Sequence, residues 1–382
     1  MSNAKAKVAG NVDVPVTRRR TNAIAFKKYY FMATNRPVSF ANFICKFGEE
    51  TNLLDVAEQI ILPAFLKSNE FRPRSFSDTR YFFHEPSLVN LGTESAPQLV
   101  IAGRLIKDTT LRREQIFSEE KGLIRTLGSL ESSPSAIFVL ILNNHKLVYC
   151  PETAHAPSLA SFRSTAYSYI RQAQNKFIKD TYEDLNARRE AEIEQGLNPS
   201  PKVTKKDLWD TYPIPTLDVV PIPSDLSLAE FVRRYSRLTS ISLRVLQTNS
   251  ELDNSKLIDA ARTTGTKLGA TNTQVTHSAG NKQEGLNRTE AVSQLRAVAT
   301  TGNVEVKLSG IDQSGNKLVG NNEEFKLRVY VESVSRNIKT AAAELVGALD
   351  REIKSNNIRL AVDADASGTM RRIKNIFKAW NG

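Results

Sequence analysis

Cysteine is nearly absent: Cys45 and Cys150 are the only two in 382 residues. Two thiols about a hundred positions apart exclude a disulfide scaffold and supply no ligand spacing for a structural zinc. They read as reduced core residues of a cytoplasmic protein. No apolar run approaches the ~20 residues needed to cross a bilayer, and the longest, around 136–142, has the length of a strand. The first residues hold no apolar signal core, so secretion is not expected. Phosphate-binding P-loops, GxSxG elbows and HExxH helices are missing, and the four histidines, His84, His145, His155 and His277, fall in four separate segments. No internal repeat or low-complexity tract is present.

What is present is charge, and its placement matters more than its size. The chain carries a formal net charge of +11, with 40% hydrophobic and 24% charged residues. Eight cations and one acid fill residues 1–36, and four cations without an acid fill residues 366–382. These ends account for the whole excess, so residues 37–365 are neutral. Basic ends of this kind meet polyanions, either nucleic acid or an acidic membrane surface.

Along the chain, residues 1–21 read as a basic disordered arm. "AIAFKKYYFMAT" (23–34) has strand composition. Leu53, Leu54, Ala57, Ile60 and Ile61 recur at helical spacing over 51–68, where Pro63 bends or ends the helix. Strands are expected at 79–85 and 97–108, and a charged helix at 111–127. "AIFVLILNNHKLVYCPET" (136–153) is strand, turn, strand and stop. Its continuous apolar run predicts a strand buried on both faces, and Pro151, which has no N–H to donate, closes the ladder. A long helix begins near Leu159, with Phe162, Ala166, Tyr169, Ala173 and Phe177 as its apolar stripe. The polar, Pro- and Lys-containing stretch 183–206 reads as a linker. Beyond it a strand (215–223), a helix (226–238), a strand (240–248), helices near 252–264 and 289–300, a hairpin of 304–309 with 325–332, and helices at 335–355 and 369–380 are expected. The sum is an α+β protein of two mixed domains with antiparallel, hairpin-containing sheets, a long connecting helix and C-terminal helices. Its boundaries are 1–21 arm, 22–182, 183–206 linker, 207–335 and 336–382.

Candidate chemistry is sparse. Cys150 with Glu152 and His155 has the residue types of a thiol nucleophile, but a strand-end cysteine in a core is inert. Asp218, Asp363 and Asp365 are the acids a divalent-metal nuclease would use, though short Asp-rich loops serve more often as caps and turns. "RTTGTKLGA" (262–270) has glycines but no strand before it, so it reads as a helix end and loop. No metal or cofactor is assigned.

The basic segments carry the functional reading. Arg18, Arg19 and Arg20 precede Lys27 and Lys28 among aromatics, which suits phosphate contact with base stacking. Arg233, Arg234 and Arg237 form a second group, and Arg371, Arg372, Lys374 and Lys378 a third. On that last helix Met370, Ile373, Phe377 and Trp380 make an apolar stripe, suited to core packing, to a membrane surface or to a protein partner.

The order of elements in "AIFVLILNNHKLVYCPETAHAPSLASF", with "PTLDVVPIPSDLSLAEFV", "SISLRVL" and "VEVKLSGIDQSGNKLV" downstream, resembles the RexA-type phage-exclusion proteins. It is also similar to the DNA-binding subunit of the Kiwa defence system. The likeness covers roughly residues 79–335 and includes no residue motif, so no contact residue is carried over. It implies a dimeric, cytoplasmic protein that binds double-stranded DNA without strong sequence preference in antiviral defence, beside a membrane-protein partner. The expected function is therefore non-enzymatic DNA binding. A scaffold or sensor acting through the basic C-terminal helix is the alternative, and a metal-dependent nuclease the third.

Overall fold

The structure, a computed structural model, describes residues 35–249, 251–252 and 255–381. Among these, fourteen strands form two antiparallel sheets, and eight α-helices complete an α+β fold. The arm 1–21, the strand expected at 23–34, and Arg18, Arg19, Arg20, Lys27 and Lys28 lie outside the described residues.

The 136–153 hairpin sits at the centre of the first sheet as β7 (Ser135–Ile141) and β8 (Lys146–Pro151), paired from Ala136↔Pro151 to Ile141↔Lys146. Successive side chains of a strand alternate between faces, and here both faces are covered. Ala136, Phe138 and Leu140 enter one core beneath α2 (Leu159–Glu194), while Ile137, Val139 and Ile141 enter another beneath α7 (Ile338–Lys354). That double cover is why the run is continuously apolar. Helix α2 starts where expected, because the Ser158 hydroxyl accepts from the Ser161 N–H, and Phe162, Ala166, Tyr169 and Ala173 bury as its stripe. Over 51–68 a short strand, β2 (Thr51–Asn52), leads into successive 3-10 and π turns and then α1 (Leu62–Leu66), with Pro63 in its first turn.

The edges of this sheet are built from distant sequence. β1 (Arg36–Phe47) pairs with β8 on one side, and on the other with β9 (Pro215–Pro221) and β14 (Arg328–Val331). On the far side lie β5 (Leu99–Ser118), β4 (Thr79–Asn90) and β3 (Arg74–Phe76).

The second sheet has the order β11 (Thr273–Ser278), β10 (Tyr235–Val245), β12 (Val304–Asp312), β13 (Lys317–Asn321). Its core collects Leu228, Phe231 and Val232 of α4 (Asp225–Arg233), Ile258 of α5 (Lys256–Lys267), and Ala291, Leu295 and Val298 of α6 (Arg288–Ala299). Ile241, Leu243 and Val245 face that core, as their alternation predicts.

Four expectations are corrected. The charged segment 111–127 is not a helix but a ribbon of β5 with β6 (Gly122–Ser132). Glu119, Glu120 and Lys121 make its turn, closed by Gly122 at φ 67°. A helix there would hold Gly122 at a cost of about 1 kcal/mol, whereas the β-branched Ile116, Ile124 and Thr126 favour the strand. The helix expected at 226–238 stops at Arg233, because Tyr235 and Leu238 are drawn into the second core as strand residues. The loop before 289 contains β11. Finally, β12 pairs with β13 across the Gly315 turn, and residues 328–331 cross to β1 in the other sheet. The stretch 183–206 is helical as far as Glu194, and α3 (Lys205–Thr211) follows.

Candidate nucleic-acid interface

The apolar side of α4 anchors it by Leu228, Phe231 and Val232, so its last turn ends in solvent with Arg233 and Arg234 exposed. The chain then dives, burying Tyr235, and returns to the surface at Ser236 and the half-buried Arg237. Register shifts at Tyr235/Arg237 and Leu238/Ser240 kink this end of β10. Gly310 on β12 permits the kink, since a Cβ there would stand 2.2 Å from the Arg237 carbonyl oxygen.

Neighbouring segments hold the arginines in place without neutralising them. The Arg234 guanidinium lies 4.9 Å from the Phe231 ring centroid. Arg237 Nη1 donates to Gln283 Oε1 at 3.2 Å, Arg288 Nη1 donates to the Tyr235 carbonyl, and Gln313 Nε2 reaches the Arg233 carbonyl at 3.5 Å. Among the described residues none of Arg233, Arg234, Arg237 and Arg288 has a carboxylate within ion-pair distance. Some arginines elsewhere are paired, Arg104 with Glu85 and Glu152, Arg163 with Asp218, and Arg244 with Asp218 and Glu305, while others, Arg74, Arg328 and Arg359 among them, stand as these four do. The end of the second sheet thus gathers four guanidinium groups without an ion pair among the described residues, with amide and hydroxyl groups between them. Arg288, at the first position of α6, was not singled out from sequence; nothing at 288 marks it until the fold brings α6 beside Tyr235.

The C-terminal group is divided. α8 (Ala366–Asn381) packs Ile373 and Ile376 into the first core, with Phe377 partly buried against it. The expected contact stripe Met370, Ile373, Phe377, Trp380 is therefore corrected: Ile373 is fully buried, and Trp380 is its one exposed member. Arg372 is also committed internally, 2.7 Å from Asp55 and 2.9 Å from Asp365. Arg371, Lys374 and Lys378 remain exposed on this helix. They belong to an element of the first core, and the structure does not join them to the α4–β10 arginines.

The catalytic alternatives find little in the geometry. Cys150 is buried, and that burial pushes its thiol up to about 11, while Cys45 is pushed up by burial as well. Asp218 Oδ1 accepts from both Arg163 (2.9 Å) and Arg244 (3.0 Å). Asp363 accepts from Thr369, and Asp365 from the Gly368 N–H and Arg372, so both serve the start of α8. Among the described residues no cluster of three or more His, Cys, Asp or Glu is placed to hold a metal ion.

Two further features stand apart. A cleft of about 700 Å³ lies between α2, β9, β10 and α5, lined by Tyr167, Arg163, Asp218, Arg244, Thr266 and Thr273 among others. Deeper, Lys146 is buried with its Nζ donating to Asn42 Oδ1 (2.9 Å) and the Thr301 carbonyl (3.1 Å). Beside it the His145 imidazole meets Glu251 at 3.2 Å. Burial lowers Lys146 to about 8, against the opposing pull of Glu251. Burial alone would raise Glu251, but the hydrogen bond and charge of His145, with the charge of Lys146, hold its carboxyl well below the usual range.

No protein-family model matches the chain, and no curated protein matches it. Among the described residues no helix is long and apolar enough to cross a membrane.

Proposed function

We propose that this chain is a non-enzymatic, cytoplasmic protein that binds double-stranded DNA through its phosphates, with little sequence preference, in the antiphage setting its order of elements resembles. The observation that supports the reading is the grouping of four arginines, Arg233, Arg234, Arg237 and Arg288, at one end of the second sheet, none with a carboxylate at ion-pair distance among the described residues. Planar guanidinium groups without an internal carboxylate retain their full charge for phosphate, and bidentate geometry suits its oxygens. The donors among them, Ser236, Gln283 and Gln313, are of the kind that contact backbone rather than base edges. The basic segment 18–28 and the exposed cations Arg371, Lys374 and Lys378 add sequence-independent attraction.

Fluorescence anisotropy with two unrelated duplexes across a salt series tests this. Both duplexes should bind alike, with affinity falling steeply as salt rises. The Arg233→Ala/Arg234→Ala/Arg237→Ala variant should bind more weakly, with its salt slope shallower by about 0.9 for each phosphate it no longer neutralises. An unchanged affinity and slope in this variant would remove the interface, and no binding at low salt would remove DNA.

A further inference from the structure

One face of the second sheet is closed by α4, α5 and α6, which share a core with Ile241, Leu243, Val306 and Leu308. Strand alternation sends the residues between these to the opposite face, and their chemistry is different. Ser240 stands between Ser278 on β11 and Ser309 on β12, and Ser242 stands between Thr276 and Lys307. One row further along, Ile311 stands between Lys317 on β13 and Arg237, past the bulge that takes up Thr239. All of these side chains are exposed or half-buried. The arginine end of the sheet therefore continues into an open face through Arg237.

The charge and the side-chain types of this face indicate what it receives. Arg237, Lys307 and Lys317 have no carboxylate at ion-pair distance among the described residues, and no acid stands in these three rows. The nearest acid of the next row, Glu305, is taken by Arg244. Such a surface favours a polyanion. No aromatic residue stands in the three rows, so the stacking on which single strands depend has no platform there. Serine and threonine hydroxyls, by contrast, are donors to phosphate oxygens. Width points the same way. Neighbouring strands lie about 4.8 Å apart, so four of them span about 14 Å. The major groove is about 12 Å wide and admits two strands but not four. A face of this width stays out of the groove and meets the phosphates along its edges.

We infer that the open face of the second sheet is the bed of the DNA site. The duplex lies across it, with phosphates on Lys307, Lys317 and the serine hydroxyls, and continues to Arg237 and the other arginines at the sheet's end. This rests on the DNA reading above and adds a face to it.

Anisotropy titration of the full chain with a duplex, and with one of its strands alone, tests the face. The wild type should bind the duplex more tightly than the strand. Lys307→Ala/Lys317→Ala should weaken duplex binding and make its salt slope shallower by about 1.8, two phosphates at about 0.9 each. Lys339→Ala/Lys354→Ala removes equal charge from exposed positions of α7 and should leave the slope unchanged. A wild type that binds no duplex at low salt ends the DNA reading and the face with it. Duplex binding that keeps its slope in Lys307→Ala/Lys317→Ala, or loses as much in the α7 variant, overturns the face and leaves the DNA reading standing; so does a strand bound as tightly as the duplex. Should the Lys307→Ala/Lys317→Ala variant lose its fold, acetylation of the wild type answers instead. Bound duplex should shield Lys307 and Lys317 and leave Lys339 reactive, and labelling that is the same with and without duplex overturns the face.

Discussion

A single side chain, Lys146, shows how the fold treats charge. It is fully enclosed, yet its ammonium is met by Asn42 Oδ1 and the Thr301 carbonyl, with Glu251 supplying the opposing charge. Its pKa is depressed from an ordinary 10.5 to about 8, so the folded chain releases this proton before the unfolded chain does. Stability must therefore rise with pH between about 8 and 10.5, by up to roughly 3 kcal/mol from this group alone. Lys146→Met removes the titration and leaves two acceptors without their donor, at about 1–3 kcal/mol each. Urea unfolding at pH 7.5 and pH 10 should show the wild type gaining on the variant at the higher pH; parallel behaviour of the two would refute a buried, depressed lysine. The neighbouring pair points the other way, because the depressed Glu251 carboxyl contributes stability that disappears in acid. None of this was legible in "NNHK", where Asn143 to Lys146 read only as a turn. The burial arises because Glu251 and Thr301, more than a hundred residues downstream, close over it.

Elements were legible wherever local pattern and tertiary environment agree. The 137–142 run predicted a strand buried on both faces, and α2 and α7 cover those faces. A helix beginning near Leu159 with a stripe from Phe162 was expected, and α2 starts there, capped by Ser158, with that side buried. The pattern failed in the β5–β6 ribbon, since charged residues such as Arg112, Arg113 and Glu114 carry helix propensity that cross-strand pairing overrides. It failed again at Tyr235, where the helical spacing of 226–238 continues but a β-bulge begins. The candidate interface divides the same way. Arg233, Arg234 and Arg237 were visible as neighbours in sequence, while Arg288 joins them only in space, and the burial of Ile373 follows from α8 docking on the first core. The bulge gives a test at this scale. Gly310→Ala would place a methyl against the Arg237 carbonyl and Tyr235 ring, at separations of 2.2 Å and 2.7 Å. Overpacking of that kind costs about 1–3 kcal/mol. Because the shift moves the segment bearing Arg237, DNA affinity should fall along with the midpoint of thermal unfolding. A variant as stable and as tightly bound as the wild type would mean that the bulge neither needs the glycine nor positions the arginine.

On the scale of the whole molecule, the second sheet is an insertion into the first. The chain leaves through β9 and returns through β14, and both pair with β1. Between the sheets Ile44, Val220 and Leu246 share a small core, Asn249 bonds the Phe43 carbonyl and the Cys45 N–H, and Asn42 bonds Asn303. These ties bind the two sheets along the length of β1. A chain ending at residue 182 would keep β1 to β8 and most of α2, yet lose β9, β14 and α7. The edge of β1 from Ala41 to Phe47 would be bare, and Val100, Ile137, Val139, Ile141 and Val148 would lose the helix that covers them. Bare strands with an open apolar face aggregate rather than fold. The expected result is that residues 35–182 expressed alone bind hydrophobic dye and lack near-ultraviolet dichroism, whereas the full chain unfolds in one calorimetric transition with equal van't Hoff and calorimetric enthalpies. A soluble, cooperatively folding 35–182 fragment, or two resolved transitions in the full chain, would show instead that the first sheet is complete without the segments that return to it, and that β9, β14 and α7 are additions to a core that β1 to β8 already close.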